Sequence, residues 1–204
     1  NRTNPEHSIE ILEDKALINA SECGRISMHN LLEEMGKQIV DQESNMPAQR
    51  SRLWYHADVL QVLTEDTGTS TIEGIIVNMP ITDEIRLSPK CFKNMKNLKI
   101  FVNVNGRFVG KVKHYPNQLR LLDWPKCPLE YLPSGFDMKE MLQLNMPNSR
   151  IRRLGGVFKS MQNLTSLKLS GCKFLTQIPD MSGSPNLEFL DLSFCSSLEE
   201  VHPS

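Results

Sequence analysis

The chain has almost no net charge and no long apolar run. Its 204 residues include 24 acidic and 23 basic side chains, which gives a formal net charge of −1 at pH 7. This balance creates no overall field that would attract nucleic acid or an anionic membrane. No apolar run approaches the roughly 18 residues that a transmembrane helix requires. The composition therefore predicts a soluble module with neither nucleic acid nor membrane as a partner.

The first residues lack the features of a translation start or a signal peptide. The chain begins Asn1-Arg-Thr-Asn-Pro5, without a methionine and without an apolar segment. We therefore expect a piece of a longer polypeptide, truncated after Ser204.

Cysteine is scarce, and its count of five is odd. Cys127, Cys172 and Cys195 recur at one position of a repeat described below, where a thiol acts as a small apolar residue. Equivalent residues on neighbouring strands lie about 5 Å apart, whereas a disulfide needs Cβ atoms about 4 Å apart. The five histidines show no ligand-like spacing to cysteines or carboxylates. We expect a row of free thiols and no metal site.

A phosphate-binding loop is also missing. The nearest string is Gly106-Arg-Phe-Val-Gly110-Lys111-Val112, which has one residue too few between its glycines and no Ser or Thr after the lysine. The sequence therefore predicts that this chain is not itself an enzyme.

What the chain does contain is a repeat of 21 to 23 residues. Each copy has apolar residues at offsets of about three and five and a small residue or cysteine at offset eight. The clearest copies are Leu164 to Leu175 and Leu187 to Leu198, which match the L-x-x-L-x-L-x-x-N/C-x-x-L signature of a leucine-rich repeat. Such copies stack into a solenoid because none can bury its apolar face alone. The copies open at Leu98, Leu119, Met141, Leu164 and Leu187.

Upstream of the repeats, the pattern changes to helix, hairpin, helix. Apolar spacing predicts a helix over residues 8–17 and a hairpin that turns at residues 21–24. A second helix is expected to start at an Asn30 cap that accepts from the Glu33 amide. A third, short helix is predicted over residues 58–63. The buried stripe expected for the second helix comprises Leu31, Leu32, Met35, Ile39 and Val40.

This order is typical of the end of a winged-helix domain. We predict an α+β protein in which residues 1–66 are the C-terminal part of a winged-helix domain with its connector. Residues 67–204 are predicted to be a leucine-rich-repeat solenoid, a horseshoe of short parallel strands. It would contain about four clear repeats, preceded by one or two irregular ones that include Ile72, Ile75 and Val77.

Both parts resemble one family. The run from Arg25 to Val40, which contains Met28-His29-Asn30, is followed by Arg50-Ser-Arg52-Leu53-Trp54 and by Leu119-Arg-Leu-Leu-Asp-Trp124. In this order and at these separations, the strings are similar to plant intracellular nucleotide-binding leucine-rich-repeat immune receptors. The similarity is to the class with an N-terminal Toll/interleukin-receptor domain, and it extends over nearly all 204 residues.

The resemblance implies a nucleotide contact. It assigns Met28, His29 and Asn30 to the family's Met-His-Asp motif, whose histidine contacts the phosphate of bound ADP in the resting receptor. Asn30 replaces the family's aspartate and so removes a charge worth about 0.3–1 kcal/mol at a helix start. Most of the ADP/ATP pocket and the NAD-cleaving domain would lie upstream of residue 1, so no cofactor is expected to bind this fragment alone. Without the resemblance, a structural hydrogen bond is the simpler role for His29.

The resemblance also implies protein partners. These would be a pathogen effector or a host protein, together with the receptor's own nucleotide-binding domain. The receptor would be cytoplasmic or nucleocytoplasmic and would oligomerise on activation. The predicted binding surface is the concave face of the solenoid. Its candidate residues are Asp123, Lys126, Gln143, Asn145, Lys168, Phe189, Asp191 and Phe194.

Two other functions were weighed against this one. DNA binding by the winged helix is disfavoured because the helix after the hairpin carries Glu33, Glu34 and Asp41, which repel phosphate. The alternative that stays open is a repeat scaffold or receptor that binds proteins without a nucleotide switch. Plant extracellular repeats usually read Leu-x-Gly-x-Ile-Pro, and the nearest string here, Leu175-Thr-Gln-Ile178-Pro179, lacks the glycine.

Overall fold

The chain folds into two compact units, Asn1–Asn45 and Met46–Ser204. The computed structural model describes residues 5–21, 26–80, 84–110, 112–132, 136, 138–155, 158 and 161–204. Most of the predicted hairpin turn, including Cys23, lies outside the described residues, as does Lys111.

The first unit has the predicted order of helix, hairpin and helix. Helix α1 spans Pro5–Asp14, strands β1 (Ile18–Ala20) and β2 (Ile26–Met28) pair antiparallel, and helix α2 spans Asn30–Asp41. Helix α1 ends earlier than predicted because Ala16 adopts a φ of 53°. There the amide of Leu17 donates back to the carbonyl of Leu12, which closes the last turn.

The predicted buried stripe of α2 is wrong at three of its five positions. Leu31 and Ile39 are each 65% exposed and Met35 is 50% exposed, whereas Val40 is buried. These three exposed residues are spaced four apart and form one face of the helix. Besides α2, the unit contains only α1 and two strands of three residues in its described part. These elements cover the side of α2 that contains Val40 and are too small to cover the exposed face as well.

The second unit is built mainly from short strands. It begins with a 3-10 turn at Pro47–Gln49, strand β3 and helix α3 (His56–Thr64), which confirms the predicted third helix. The strands are β3 (Arg52–Leu53), β4 (Gly74–Val77), β5 (Glu84–Arg86), β6 (Ile100–Asn103), β7 (Arg107–Val109), β8 (Leu121–Asp123), β9 (Gln143–Asn145), β10 (Ser166–Lys168), β11 (Gln177–Ile178), β12 (Phe189–Asp191) and β13 (Glu200–Val201).

Seven of these strands form one parallel sheet in the order β3-β4-β6-β8-β9-β10-β12. Residues at the same repeat offset lie side by side, so that Leu122, Leu144, Leu167 and Leu190 are in register on consecutive strands. This is the predicted leucine-rich-repeat solenoid. The pairs β5-β7 and β11-β13 form separate two-stranded parallel sheets.

The solenoid begins earlier than the sequence predicted. Strand β3 pairs with β4, where Leu53 lies opposite Ile75. Helix α3 buries Val59, Val62 and Leu63 in the core that the repeats share. The predicted boundary between residues 66 and 67 therefore falls inside the second unit, because residues 46–66 supply the first strand of the sheet and a helix that packs into the shared core.

The cysteine position of the repeat forms the predicted row. Cys127, Ser149 and Cys172 are buried, and the Cys172 thiol lies 3.0 Å from the Ser149 hydroxyl and donates to the Met146 carbonyl. The Cys195 thiol donates to the Leu169 carbonyl in the same way, 26 residues further back along the chain. Burial raises the pKa of Cys127 to about 12, so this thiol stays protonated at neutral pH.

The residue before this row has a left-handed backbone in the last four repeats. The φ values are 57° at Lys126, 56° at Asn148, 70° at Gly171 and 60° at Phe194. Left-handed backbone turns the amide toward the next repeat: Asn148 donates to the Ser170 carbonyl at 2.7 Å, and Gly171 donates to the Ser193 carbonyl at 2.8 Å. Glycine and asparagine suit this conformation, whereas phenylalanine is strained in it.

We expect the Phe194→Asn substitution to stabilise the solenoid. Relief of the strained φ should add about 0.5–1 kcal/mol to the free energy of unfolding. Little apolar burial is lost, because Phe194 is 86% exposed. Urea denaturation of the chain measures the change. The control is Phe189→Asn in the extended backbone of β12, which should give no gain, and an unchanged or lower midpoint for Phe194→Asn would contradict the prediction.

Candidate nucleotide contact and protein-binding face

His29 is the cap residue of helix α2. It follows β2 with φ −64° and ψ 137°, and its Nδ1 accepts a hydrogen bond from the Leu31 amide at 3.2 Å. Its carbonyl accepts from the amides of Leu32 and Glu33. The predicted Asn30 cap is therefore wrong, because the extended backbone ends at His29 and Asn30 is already the first helical residue.

The cap bond determines which nitrogen of His29 carries the proton. A neutral imidazole has one donor and one acceptor nitrogen, and Nδ1 is the acceptor here. The N–H of the neutral ring is therefore at Nε2. His29 is exposed, so this donor lies at a helix N-terminus, where the positive end of the helix dipole favours an anion.

The two flanking motif residues are also at the surface of the first unit. Met28 ends β2 opposite Ile18 and is 44% exposed. Asn30 is exposed and contributes no charge to the first turn, in which Glu33 is the acidic residue. Glu33 and Glu34 both pair with Lys37, at 2.9 and 2.7 Å, and these two hydrogen bonds raise the pKa of the lysine. The acidic side chains of α2 are thus partly neutralised by their own helix.

The sheet brings most of the predicted protein-binding residues together. We use "concave face" for the outward-pointing side chains of the seven-stranded sheet. One row across β8, β9, β10 and β12 contains Asp123, Asn145, Lys168 and Asp191, and the row before it contains Leu121, Gln143, Ser166 and Phe189. Lys126 and Phe194 lie just beyond these rows, at the left-handed turn position.

The first of these rows is held by its own contacts. Burial raises the pKa of Asp123, and a hydrogen bond from the Asn145 side chain and the charge of Lys168 act against this rise. Lys168 Nζ lies 5.3 Å from the centroid of the Phe189 ring. Hydrogen bonds from the Ser193 side chain and amide lower the pKa of Asp191. A mixed set of charges and one aromatic ring therefore faces outward in fixed positions.

Asn145 does not fit its predicted role as a contact residue. It is only 9% exposed, and its Oδ1 has no hydrogen-bond partner in the described part of the chain. Its amide donates to Asp123 instead. Asn145 therefore positions a neighbouring carboxylate and offers almost no surface of its own.

The same face has an apolar half that is absent from the predicted binding residues. Ile76 and Ile100 are 40% and 42% exposed, and each lies in register with another outward apolar residue, Val102 and Leu121 respectively. The signal was available, because Ile100-Phe-Val102 is a continuous apolar run, whereas Gln143-Leu-Asn145 and Ser166-Leu-Lys168 alternate polar and apolar residues.

The string that most resembles a phosphate loop is used internally. The Gly106 amide donates to the Asn103 side chain, whose own amide donates back to the Gly106 carbonyl. Among the residues that the structure describes, no three His, Cys, Asp or Glu side chains gather closely enough to hold a metal ion. Within the same ranges, no helix is long and apolar enough to cross a membrane.

The fold and these surfaces define a class: a small winged-helix-type unit followed by a leucine-rich-repeat solenoid. Residues 3–44 match the family described as the winged-helix domain of Disease resistance protein Roq1-like proteins, and residues 163–184 match the Leucine Rich Repeat family. The first match ends where the first compact unit ends. No solved structure matches the chain significantly.

Curated relatives match nearly the whole chain. TMV resistance protein N of Nicotiana glutinosa is 37% identical over 199 residues, which cover 98% of this chain and 17% of that protein. Disease resistance proteins RPS6 and RPP2A of Arabidopsis thaliana are 36% and 37% identical over 203 and 202 residues. Each of these two alignments covers 95% of this chain. They cover 18% of the length of RPS6 and 15% of the length of RPP2A.

The chain belongs to the plant nucleotide-binding leucine-rich-repeat disease resistance proteins. It spans less than a fifth of the length of the curated relatives. The part that it spans contains winged-helix and repeat regions, neither of which is a catalytic domain. A role in plant defence is the function that these matches support.

Proposed function

We propose that this chain is the switch-and-sensor segment of an intracellular plant immune receptor controlled by ADP and ATP. In this proposal, His29 contacts the phosphate of ADP in the resting receptor, with Met28 and Asn30 beside it. The nucleotide-binding domain and an NAD-cleaving Toll/interleukin-receptor domain belong to the same receptor. The repeats bind a pathogen effector or a host protein, and they also contact the nucleotide-binding domain. The receptor acts in the cytoplasm or nucleocytoplasm and oligomerises on activation.

The geometry of His29 is the observation that carries the nucleotide proposal. The imidazole is exposed, its Nδ1 is occupied by the Leu31 amide, and its remaining N–H is at Nε2. A charge-assisted bond from this N–H to a phosphate oxygen would use the helix N-terminus as well. Asn30 adds no competing negative charge to this end of the helix.

The concave face supports the protein-binding part of the proposal. Phe189 is 50% exposed and lies beside Lys168, which belongs to the neighbouring row together with Asp191. Aromatic side chains within a polar surface are common anchors in protein interfaces. The apolar patch that contains Ile76 and Ile100 extends the same face toward the first strands.

Two His29 variants test the nucleotide proposal in the receptor that contains this chain. His29→Ala removes both the cap and the Nε2 donor, whereas His29→Asn keeps a capping acceptor and replaces the Nε2 donor by a shorter amide N–H that reaches less far. Both should raise basal signalling, measured as ion leakage from leaf tissue without a pathogen, because ADP is held less tightly in each. Wild-type behaviour of His29→Asn would reduce His29 to a helix cap and favour the alternative, a repeat receptor without a nucleotide switch.

A further inference from the structure

Basic residues are concentrated in one stretch of this nearly neutral chain. Residues 85–122 contain nine lysines and arginines and no aspartate or glutamate, while the remaining residues contain 14 basic and 24 acidic side chains. Lys111, one of the nine, lies outside the described residues. The chain is therefore divided into one positively charged segment and an acidic remainder.

The turns of the first repeats place several of these lysines together. Phe92 and Met95 point into the core and are buried. Each is followed directly by a lysine, Lys93 and Lys96, and both lysines are exposed. The amide of Lys113 donates to the Pro89 carbonyl at 2.9 Å, which brings residue 113 beside the same turns. The result is a groove of about 720 Å³ whose polar lining is Lys93, Lys96, Lys113, His114, Asn117 and Gln118. We call it the lysine groove.

The lysines of this groove are not neutralised by the chain. Other cations of the basic stretch do form ion pairs: Lys99 with Glu73, Arg107 with Glu84 and Arg120 with Glu140. Within the described ranges, Lys93, Lys96 and Lys113 have no carboxylate at ion-pair distance, and no carboxylate lines the groove. Three ammonium groups that share one concavity repel one another until an anion binds.

We propose that the lysine groove binds a small, multiply phosphorylated anion. Three lysines and the His114 imidazole match a ligand with several negative charges, and the Asn117 and Gln118 amides add donors for phosphate oxygens. The volume lies within the range of about 300–1,000 Å³ that is usual for small-molecule sites. Phe92 and Tyr115 give the groove an apolar wall against which a carbon framework can pack.

The groove continues toward a second polar concavity. Lys96 also lines a neighbouring groove of about 410 Å³, together with Thr67, Thr69, Ser70 and Asn94. The Thr69 hydroxyl already donates to the Ala48 carbonyl, so the Thr67 and Ser70 hydroxyls and the Asn94 amide are the groups that can donate to phosphate oxygens there. A ligand with two separated phosphate groups could therefore occupy both concavities, with Lys96 between them.

The charge distribution favours a compact anion over a nucleic acid. A duplex needs phosphate contacts along an extended basic surface, whereas the groove offers three lysines in one concavity. A compact anion contacts the groove alone. Neither His29 nor the concave face contributes to the lysine groove. Anion binding at the groove can therefore be tested separately from the nucleotide switch.

Calorimetric titration of the 204-residue chain with inorganic triphosphate at low ionic strength tests the site. We expect saturable binding at one site per chain, weakened at least tenfold in the double variant Lys93→Gln/Lys113→Gln. The matched control is Arg153→Gln/Lys173→Gln, which removes the same charge from a different surface and should change the affinity less than twofold. Circular dichroism checks that both variants fold like the wild type.

Three results would overturn the proposal: no saturable binding, equal weakening in the control, or binding of duplex DNA that is tighter than that of triphosphate and equally sensitive to the groove variant. The source of the ligand is distinguished by competition. Displacement of triphosphate by vesicles that contain a polyphosphoinositide would identify a lipid headgroup. Displacement by the soluble headgroup but not by the vesicles would identify a free phosphorylated molecule. Either form of displacement supports the site.

Discussion

Replacing Leu167 by Ala should destabilise the solenoid by about 3–4 kcal/mol, the usual range for a leucine deleted from a packed core. Leu167 is completely buried in β10 and lies in register between Leu144 and Leu190. Its removal leaves a cavity that neither neighbouring repeat can fill, because both are fixed by the ladder of the parallel sheet. Urea denaturation followed by far-ultraviolet circular dichroism measures the loss.

Leu190→Ala is the matched control for this prediction. Leu190 occupies the same repeat position one strand further along, but it is 41% exposed in β12. Its removal should lower the free energy of unfolding by about 1 kcal/mol, because the Leu190 side chain is only partly buried in the wild type and its loss exposes less apolar surface. Equal losses at the two positions would show that the core is not continuous through these repeats.

The 204-residue chain should self-associate in solution through β12. Phe189 and Leu190, 50% and 41% exposed, lie in β12, an outer strand of the seven-stranded sheet, and Val201, 52% exposed, lies in β13 of the same last repeat. Unpaired backbone groups beside exposed apolar side chains favour pairing with a second chain. Each apolar side chain covered in this way contributes about 1.5–3 kcal/mol. Multi-angle light scattering should therefore detect dimers or larger species at micromolar concentration.

Two double variants separate this edge from the exposed face of α2. Leu190→Lys/Val201→Lys places charges at the edge and should give a monomer. Leu31→Lys/Ile39→Lys places the same charges on α2 and should leave the association intact. A monodisperse wild-type monomer would contradict the prediction, and a monomer produced only by the α2 variant would assign the association to the first unit.

The repeats were predictable because their spacing is a direct consequence of stacking. Each strand must align an inward leucine with the one before it, so Leu144, Leu167 and Leu190 recur at intervals of 23 residues, which the sequence displays. The buried thiol row was predictable for the same reason. Such regularity depends on contacts between equivalent residues, which leave a period in the sequence.

The start of the solenoid was not predictable in this way. Strand β3 has only two residues, Arg52 and Leu53, and its identity depends on pairing with β4 about twenty residues later. Two residues cannot display an alternating pattern, so the segment was interpreted as part of a connector. Its burial by α3 is a tertiary contact with no local signal.

The candidate nucleotide contact shows a similar limit. The motif could be located from Met28, His29 and Asn30, but the cap was assigned to Asn30 because asparagine is a common cap residue. The structure gives that role to His29, whose ring nitrogen reaches the Leu31 amide. The apolar periodicity of α2 was correct, yet periodicity indicates only that a face is apolar and not whether the same chain covers it.

The nucleotide content of the purified receptor that contains this chain decides whether His29 holds ADP. We expect nearly one ADP per wild-type molecule, and a fall in ADP affinity of roughly 10- to 100-fold in both His29→Ala and His29→Asn, since a charged hydrogen bond contributes about 1.5–3 kcal/mol. Mass spectrometry of the nucleotide retained after dialysis against buffers of graded ADP concentration measures both quantities. A wild-type receptor that retains no ADP, or a His29→Asn receptor that retains as much as the wild type, would show that His29 does not hold the nucleotide.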